Sequence, residues 1–274
     1  MNLSALNARV ESLGAGETLR LDGIDDHVYH NSLGYGSTAI KKMLECPAVF
    51  HHYINEPHKP STEAQQIGTA IHCEILTPFD FWDQHVYQPA DLARRGKVWT
   101  EFKDAHAGKT ILRPNAEEVI MGCSGAVLDS FGHLFSGGSA EVSHWRRDLE
   151  FPSVILKSRL DYELDDQIVD LKTTVSVEPH KFSRDARKFL YHLQDALYSD
   201  IANAPSFQFV AVEKESPYLC GVFEFSEEAK QLGHKLYRQA VEKIAECQKT
   251  GNWHGYTNQT TVIELSQWEL SQLD

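Results

Sequence analysis

The chain reads as an α/β protein in which one mixed central β-sheet of about five strands is flanked by helices. Three observations predict this. Residues 154–164 and 167–173 alternate apolar and polar side chains with a period of two, which makes a pair of half-buried strands. Segments with helical apolar spacing stand on either side of the pair, at 63–76 and at 183–202. Two short apolar runs, 207–212 after Pro205 and 218–225 after Pro217, supply further strands.

At 274 residues the chain can bury a sizeable core without cross-links. It divides into a loose N-terminal lead-in (1–27), one domain (28–250) and a C-terminal tail (251–274) that packs on the body or on a neighbouring subunit. A formal net charge of −13 excludes coating of nucleic acid by bulk electrostatics, so any DNA contact must be local. The five cysteines, at 46, 73, 123, 220 and 247, contain no Cys-x-x-Cys pair and are odd in number. They fit reduced thiols of a cytoplasmic protein better than a disulfide framework or a zinc site. No apolar run approaches the roughly eighteen residues of a membrane helix, and no basic-then-apolar segment opens the chain, so neither a span nor a signal peptide is expected.

The lead-in, with Gly14, Gly16 and Gly23, predicts a short helix and then irregular chain. Ser37 caps a helix with apolar Ala39, Ile40, Met43 and Leu44 that stops at Pro47; a second helical stretch, Ala48 to Ile54, runs into the loop Pro57 to Pro60. In 63–76, Ile67, Ala70, Ile71 and Ile75 form the apolar stripe, Gly68 allows close packing, and His72 lies beside the stripe. Residues 79–87 are aromatic and suit an edge strand. Arg94, Arg95, Lys97 and Trp99 then bring three cations and an indole together, which suits phosphate contact plus base stacking. Helices near 99–107 and 115–128 are scaffold. A Ser-Gly-Gly-Ser turn at 136–139 leads into a strand at 140–145, with Glu141 at its start.

The central pair closes into a hairpin across Asp165-Asp166, which brings Asp161 level with Asp170; Lys172 follows on the same side as Asp170. Two carboxylates beside an ammonium make a site for a hard cation such as Mg²⁺, with the lysine placed to orient or deprotonate an attacking water. Taken alone, the same residues also fit an ordinary cross-strand ion pair. Lys157 and Arg159 share the side of Asp161 and suit either a DNA phosphate or a carboxylate partner. One helix from about 183 to 202 buries Ala186, Phe189, Leu190, Leu193, Ala196 and Leu197 and carries a polar stripe of Arg187, Tyr191, Gln194 and Tyr198. Ser226 caps a long helix, 227–250, closed by Gly251.

The order Asp161, then Asp170-Leu171-Lys172, resembles the PD-(D/E)xK nucleases. Gly68-Thr69-Ala70-Ile71-His72, Ala140 to Ser143 and Tyr191 to Asp200 extend the resemblance over roughly residues 28 to 225, to the RecB-like branch and, within it, the exonuclease VIII (RecE) type. The resemblance implies a restriction-endonuclease-like core. It implies that Asp161, Asp170 and the Leu171 carbonyl hold a metal, that His72 joins through a neutral imidazole, and that Glu141 approaches directly or through water. Lys172 is then catalytic, and Gln194 and Tyr198 form the Gln-x-x-x-Tyr motif that lines the active site. The implied activity is a Mg²⁺-dependent 5′-to-3′ exodeoxyribonuclease on linear double-stranded DNA, with Mn²⁺ as a substitute, leaving 3′ overhangs for recombination by strand annealing. DNA ends, a homo-oligomeric ring and a RecT-like annealing protein are the implied partners, in bacterial or phage-infected cytoplasm. A structure-specific endonuclease, a 3′-directed exonuclease or an inactive DNA-binding module fits the same motifs. The lack of a four-cysteine cluster sets the chain apart from iron–sulfur members of that branch.

Overall fold

The structure, a computed structural model, describes residues 1–56, 60–257 and 259–272. Most of the proline loop expected at 57–60 therefore lies outside the described residues. Among those described, the strands are β1 (Thr18–Leu21), β2 (His85–Tyr87), β3 (Thr110–Leu112), β4 (Ser139–Arg147), β5 (Ile155–Glu163), β6 (Gln167–Thr174), β7 (Ser206–Glu213) and β8 (Cys220–Phe223). The helices are α1 (Leu3–Glu11), α2 (Asp26–Asn31), α3 (Ser37–Glu45), α4 (Pro47–Asn55), α5 (Glu63–Leu76), α6 (Phe81–Gln84), α7 (Gly96–Ala105), α8 (Ala116–Phe131), α9 (Pro179–Lys188), α10 (Tyr191–Ala202), α11 (Glu227–Thr250) and α12 (Gln267–Leu270).

The central sheet is mixed, with strand order β1-β4-β5-β6-β7-β8 and one parallel pair, β6 with β7. That pair needs a crossover, and α9 and α10 supply it, which lays α10 over β6. Alternation along the strands sorts the two layers. Ile168, Phe207 and Phe209 pack with α3, α4, α10 and α11, whereas Val169, Leu171, Val210 and Val212 pack with α5 and α8. Asp170 and Lys172 therefore share the α10 side of β6. β2 and β3 form a separate parallel pair. No helix among the described residues is long and apolar enough to cross a membrane.

Three expectations need correction. The sheet has six strands rather than about five, because the lead-in is not loose: β1 pairs with β4, Leu19 opposite Trp145, and Leu6 and Val10 of α1 are fully buried with Trp145 and Tyr29. Their i, i+4 spacing gives α1 one apolar edge, too short a stripe to stand out in the sequence. Residues 79–87 contribute only the short β2 after a helical turn. The single helix expected at 183–202 is two. Leu190 stands between α9 and α10 with φ 52°, a conformation costing a leucine about 1–2 kcal/mol. Stacking on both sides of the break offsets that cost: Phe182 lies 4.0 Å from Phe223 and Tyr191 lies 5.6 Å from Phe209, ring centre to ring centre.

In the tail, Trp253 stacks on His51 and Phe50 at 4.9 and 5.6 Å and the His254 carbonyl accepts the Ala48 N–H, while residues 254–257 and 259–272 are exposed.

Candidate active site

Strand register sets three carboxylates in a row. β4 and β5 pair at Ala140–Tyr162 and Val142–Leu160, so Glu141 faces Asp161. β5 and β6 pair at Tyr162–Val169 and Glu163–Ile168, and one step farther from the turn Asp161 stands level with Asp170. The ladder is irregular along this row. Glu141 has φ 52°, a left-handed backbone carried by a residue other than glycine. Asp161 Oδ2 accepts the Leu171 N–H at 2.7 Å, taking the place of a strand carbonyl.

Helices from both layers close over the row. Gln194 of α10 donates from Nε2 to Asp170 Oδ1 at 2.6 Å, and Asp170 is only 2% exposed. The Lys172 ammonium makes an ion-pair contact with Asp170 Oδ2, an oxygen with no well-aligned hydrogen bond. That ammonium also lies over the rings of Tyr191 at 5.2 Å and Phe209 at 5.8 Å, which fixes its position. Tyr198, one turn beyond Gln194, bonds Ser37 of α3. From the other layer, His72 Nδ1 comes to 3.5 Å from Asp161 Oδ2, with the Leu171 main chain beside the ring. α5 holds this histidine through a Thr62–Gln65 capping box and through buried Ala70, Ile71 and Ile75. Gly68 brings α5 against β6 at Thr173, where a Cβ would stand 3.4 Å from Thr173 Oγ1, at the edge of ordinary contact.

The row carries more negative charge than its surroundings balance. Burial, reinforced by Asp161, pushes Glu141 up to about 8. Burial pushes Asp170 up to about 6, with Lys172 opposing and Asp161 adding to the rise. Asp161 is also raised by burial, against the pull of Lys172 and the Leu171 N–H. Burial disfavours the Lys172 ammonium, but Asp170 and Asp161 outweigh it and hold that group above its ordinary range. Burial and then Lys172 push His72 down to about 4, which keeps the imidazole neutral and free to coordinate. Among the described residues, no three His, Cys, Asp or Glu side chains already surround one point as a finished metal cage. Mg²⁺ needs no such cage, because it takes one or two carboxylates and fills its remaining positions with water and substrate phosphate. The excess carboxylate charge, and an Asp170 oxygen whose one contact is the Lys172 ion pair, fit that cation, with Asp161, Asp170 and the Leu171 carbonyl to hold it and His72 and Glu141 alongside.

The structure thus gathers His72, Glu141, Asp161, Asp170, Leu171, Lys172, Gln194 and Tyr198. Of the expected DNA contacts, Arg159 borders this group, its Nε 3.9 Å from Glu141 Oε2. Arg94, Arg95, Lys97 and Trp99 lie at the start of α7, beside the β2–β3 pair. Arg94 is tied to Gln88 Oε1 at 2.6 Å and the Ile111 carbonyl at 3.1 Å, with its guanidinium 5.4 Å from the Trp99 ring. Lys97 pairs with Glu101 at 3.5 Å. Arg159 takes the carboxylate-pairing alternative: Asp26, Ser143 and the Ile24 carbonyl occupy its guanidinium at 2.9, 3.1 and 2.6 Å, and the Tyr29 ring stacks at 4.3 Å. Its donors brace α2 against the sheet. Lys157 is buried too, donating to the Tyr29 and Ser32 carbonyls at the end of α2. Sequence reasoning missed Lys41, 5.8 Å over the Tyr191 ring and lowered to about 8 by burial and then Lys172, and Phe209 under Lys172. Both sit in ordinary helix and strand patterns, so no local signal marks them.

No curated protein matches the sequence. Among solved structures, the crystal structure of a "Putative exonuclease" from Eubacterium rectale superposes with a TM-score of 0.59, at 15% identity over 91% of this chain and 98% of that one, a likeness of fold. A second, the crystal structure of SSO0001, reaches a TM-score of 0.29 at 11% identity over 75% of this chain and 85% of that one, and carries no argument. The family model of the PDDEXK-like domain of unknown function (DUF3799) matches residues 36–265, and with the carboxylate row lying inside that span, the chain belongs to this family.

Proposed function

We propose that the chain is a Mg²⁺-dependent deoxyribonuclease of the RecE-like kind. The observation that carries this reading is the under-balanced row of half-buried Glu141 and Asp161 and buried Asp170, with Lys172 and Gln194 both fixed on Asp170. When bound, the metal supplies Lewis acidity toward the scissile phosphate. The chain's own groups do the rest. Gln194 holds one oxygen of Asp170, so the other is presented in a fixed direction. Lys172, clamped by Asp170 and two rings, orients the attacking water and offers positive charge to the phosphate as its own charge grows. Tyr198, anchored to Ser37, steadies the helix that carries Gln194.

The finer reading rests on the motif resemblance: 5′-to-3′ degradation of one strand of linear duplex DNA, a 3′ overhang for strand annealing, a homo-oligomeric ring, and a RecT-like partner. The test is digestion of linear duplex labelled at the 5′ or the 3′ end, with Mg²⁺ and a closed circular control, using the unmodified chain, Asp170→Ala and Lys172→Ala. Early release of the 5′ label, with the circle intact and both variants inactive but still binding DNA, is the expected result. A cut circle moves the reading to an endonuclease, and first release of the 3′ label reverses the polarity. Turnover retained by Lys172→Ala sinks the role given to that lysine.

A further inference from the structure

The break at Leu190 leaves α9 as a separate helix on the surface, and its composition is unlike the rest of the chain. In ten residues it carries Lys181, Arg184, Arg187 and Lys188 against a single Asp185, on a chain of net charge −13. Only Phe182 and Ala186 are buried, i and i+4 on one edge; all four cations are exposed. The helix dipole accounts for Arg187 and Lys188 in the last turn, but not for the rest of the arrangement. Lys181 stands in the first turn, where the helix dipole disfavours a cation. Lys181 with Arg184, Arg184 with Arg187 and Arg184 with Lys188 are neighbours three or four residues apart, and like charges at that spacing repel. Among the described residues the one carboxylate in contact with these cations is Asp185, 3.4 Å from Arg184. Glu178 at the N-cap has both oxygens on the main-chain N–H groups of His180 and Lys181.

The helix also ends in a particular place. Phe189 is 49% exposed and stacks at 5.9 Å and 27° on Tyr191, the ring that carries the Lys172 ammonium. A half-exposed ring, with the Lys188 ammonium 5.4 Å from its centre, thus lies one ring away from the group that would orient the attacking water, and a line of cations leads up to it. Basic side chains that track phosphates, joined to an aromatic face on which a base can stack, are what a single strand requires; a paired base offers its face only at a duplex end.

We propose that α9 with Phe189 is the binding track for the DNA strand next to the catalytic centre: Lys181, Arg184 and Lys188 hold its phosphates, and Phe189 stacks on the unpaired base beside the scissile bond. For the position of that bond the inference rests on the nuclease reading; the binding itself does not need cleavage.

The experiment measures anisotropy of a fluorescent oligothymidylate, and its competition by closed circular duplex, with the full chain, in EDTA, over a range of salt. Two variants leave the buried edge of α9 intact: the triple change Lys181→Ser, Arg184→Ser and Lys188→Ser, and Phe189→Ala. Melting curves matching the unmodified chain establish that both are folded. Loss of three phosphate contacts should flatten the slope of log affinity against log salt by about 2, at about 0.7 per contact on a single strand. Phe189→Ala should weaken the single strand by roughly tenfold or more while leaving the duplex little changed. An unaltered salt slope in the triple variant overturns the track. An equal loss on both DNAs, or none, in Phe189→Ala overturns the stacking role. The same preparations assayed for cleavage separate the two readings: strand binding through α9 by a chain that never cuts DNA removes the nuclease reading alone, and normal cutting by the triple variant removes this inference alone.

Discussion

At one end of α10, Gln194 holds Asp170 in a row of three carboxylates with one ammonium among them; toward the other end, Asp200 meets Tyr237 and His234 of α11, and nearby Arg238 spans Asp148 and Glu150. Both places bury charge, and they handle it differently. Asp148, 4% exposed, has each oxygen engaged, by Arg238 and by the N–H groups of Glu150 and Phe151. Donors and acceptors match there, around a cavity of about 640 Å³. At the Asp170 end they do not: the carboxylates are raised by burial and by one another, and an oxygen is left without an aligned donor. A buried ion pair with its partners complete can serve structure alone. A surplus of carboxylates drawn out of water is destabilising unless something outside the chain completes it, which is why the row is the candidate site and the cavity beside Arg238 is not.

The sharpest way to break this comparison is to neutralise one acid at each end. Asp170→Asn should abolish cleavage, by roughly a thousandfold or more because several kcal/mol of charge stabilisation is lost. It should also raise the melting temperature measured without metal, since it relieves a like-charge cluster. Asp148→Asn should do the reverse: activity kept, and stability lowered by about 2 kcal/mol as hydrogen bonds to Arg238 are lost. Calorimetry and the cleavage assay read both, and equal behaviour of the two variants would mean the distinction is wrong.

The scaffold that holds both ends gives the next effect. Gly233 of α11 crosses α10 so closely that a Cβ there would lie 2.0 Å from the His192 carbonyl. Gly233→Ala should therefore cost roughly 2–3 kcal/mol by overpacking and reduce activity by displacing Gln194. Denaturant melts check the first part; a variant as stable as the parent would show that the helices are free to separate.

Asp195 gives the smallest effect and the finest test, because it is an unbalanced acid outside the row. It is 1% exposed, Ser199 donates to one oxygen, and the other has no partner. Burial pushes it up to about 7, opposed by Lys230. Since the folded-state value lies above the unfolded one, near 3.9, the folded chain holds a proton that the unfolded chain has lost. That proton stabilises the fold at low pH, and stability is lost as pH rises from about 4 to about 7. Asp195→Asn should melt like the parent near pH 4, melt later by about 1 kcal/mol above pH 7, and cut DNA normally. Lost activity in that variant would place Asp195 among the groups that matter for the reaction.

How much of this was legible in the sequence differs from one element to the next. The β5–β6 hairpin could be read because its alternation and turn are local, and Asp161, Asp170 and Lys172 came with its register. Gln194 and Tyr198 were legible as a helical i, i+4 pair, and α11 through its Ser226 cap and terminal Gly251, whose φ is 69°. The break at Leu190 was not, since neither glycine nor proline marks it and its cause is stacking on strands far along the chain. For the same reason α1 and β1 passed for loose chain: their burial depends on Trp145, more than a hundred residues away.

By itself, then, the sequence determined which residue types stand at which period, and hence the strand pair, the long helices and the acidic and basic groups two residues apart. Period and spacing are properties of a few neighbouring residues, and local backbone geometry converts them directly into faces. Only the tertiary structure decided which faces meet. It laid α10 over β6 so that Gln194 reaches Asp170, brought His72 in from the opposite layer, paired Arg159 with Asp26 of α2, and left the cations of α9 exposed. Those outcomes depend on contacts between residues far apart in the chain, which no local pattern records.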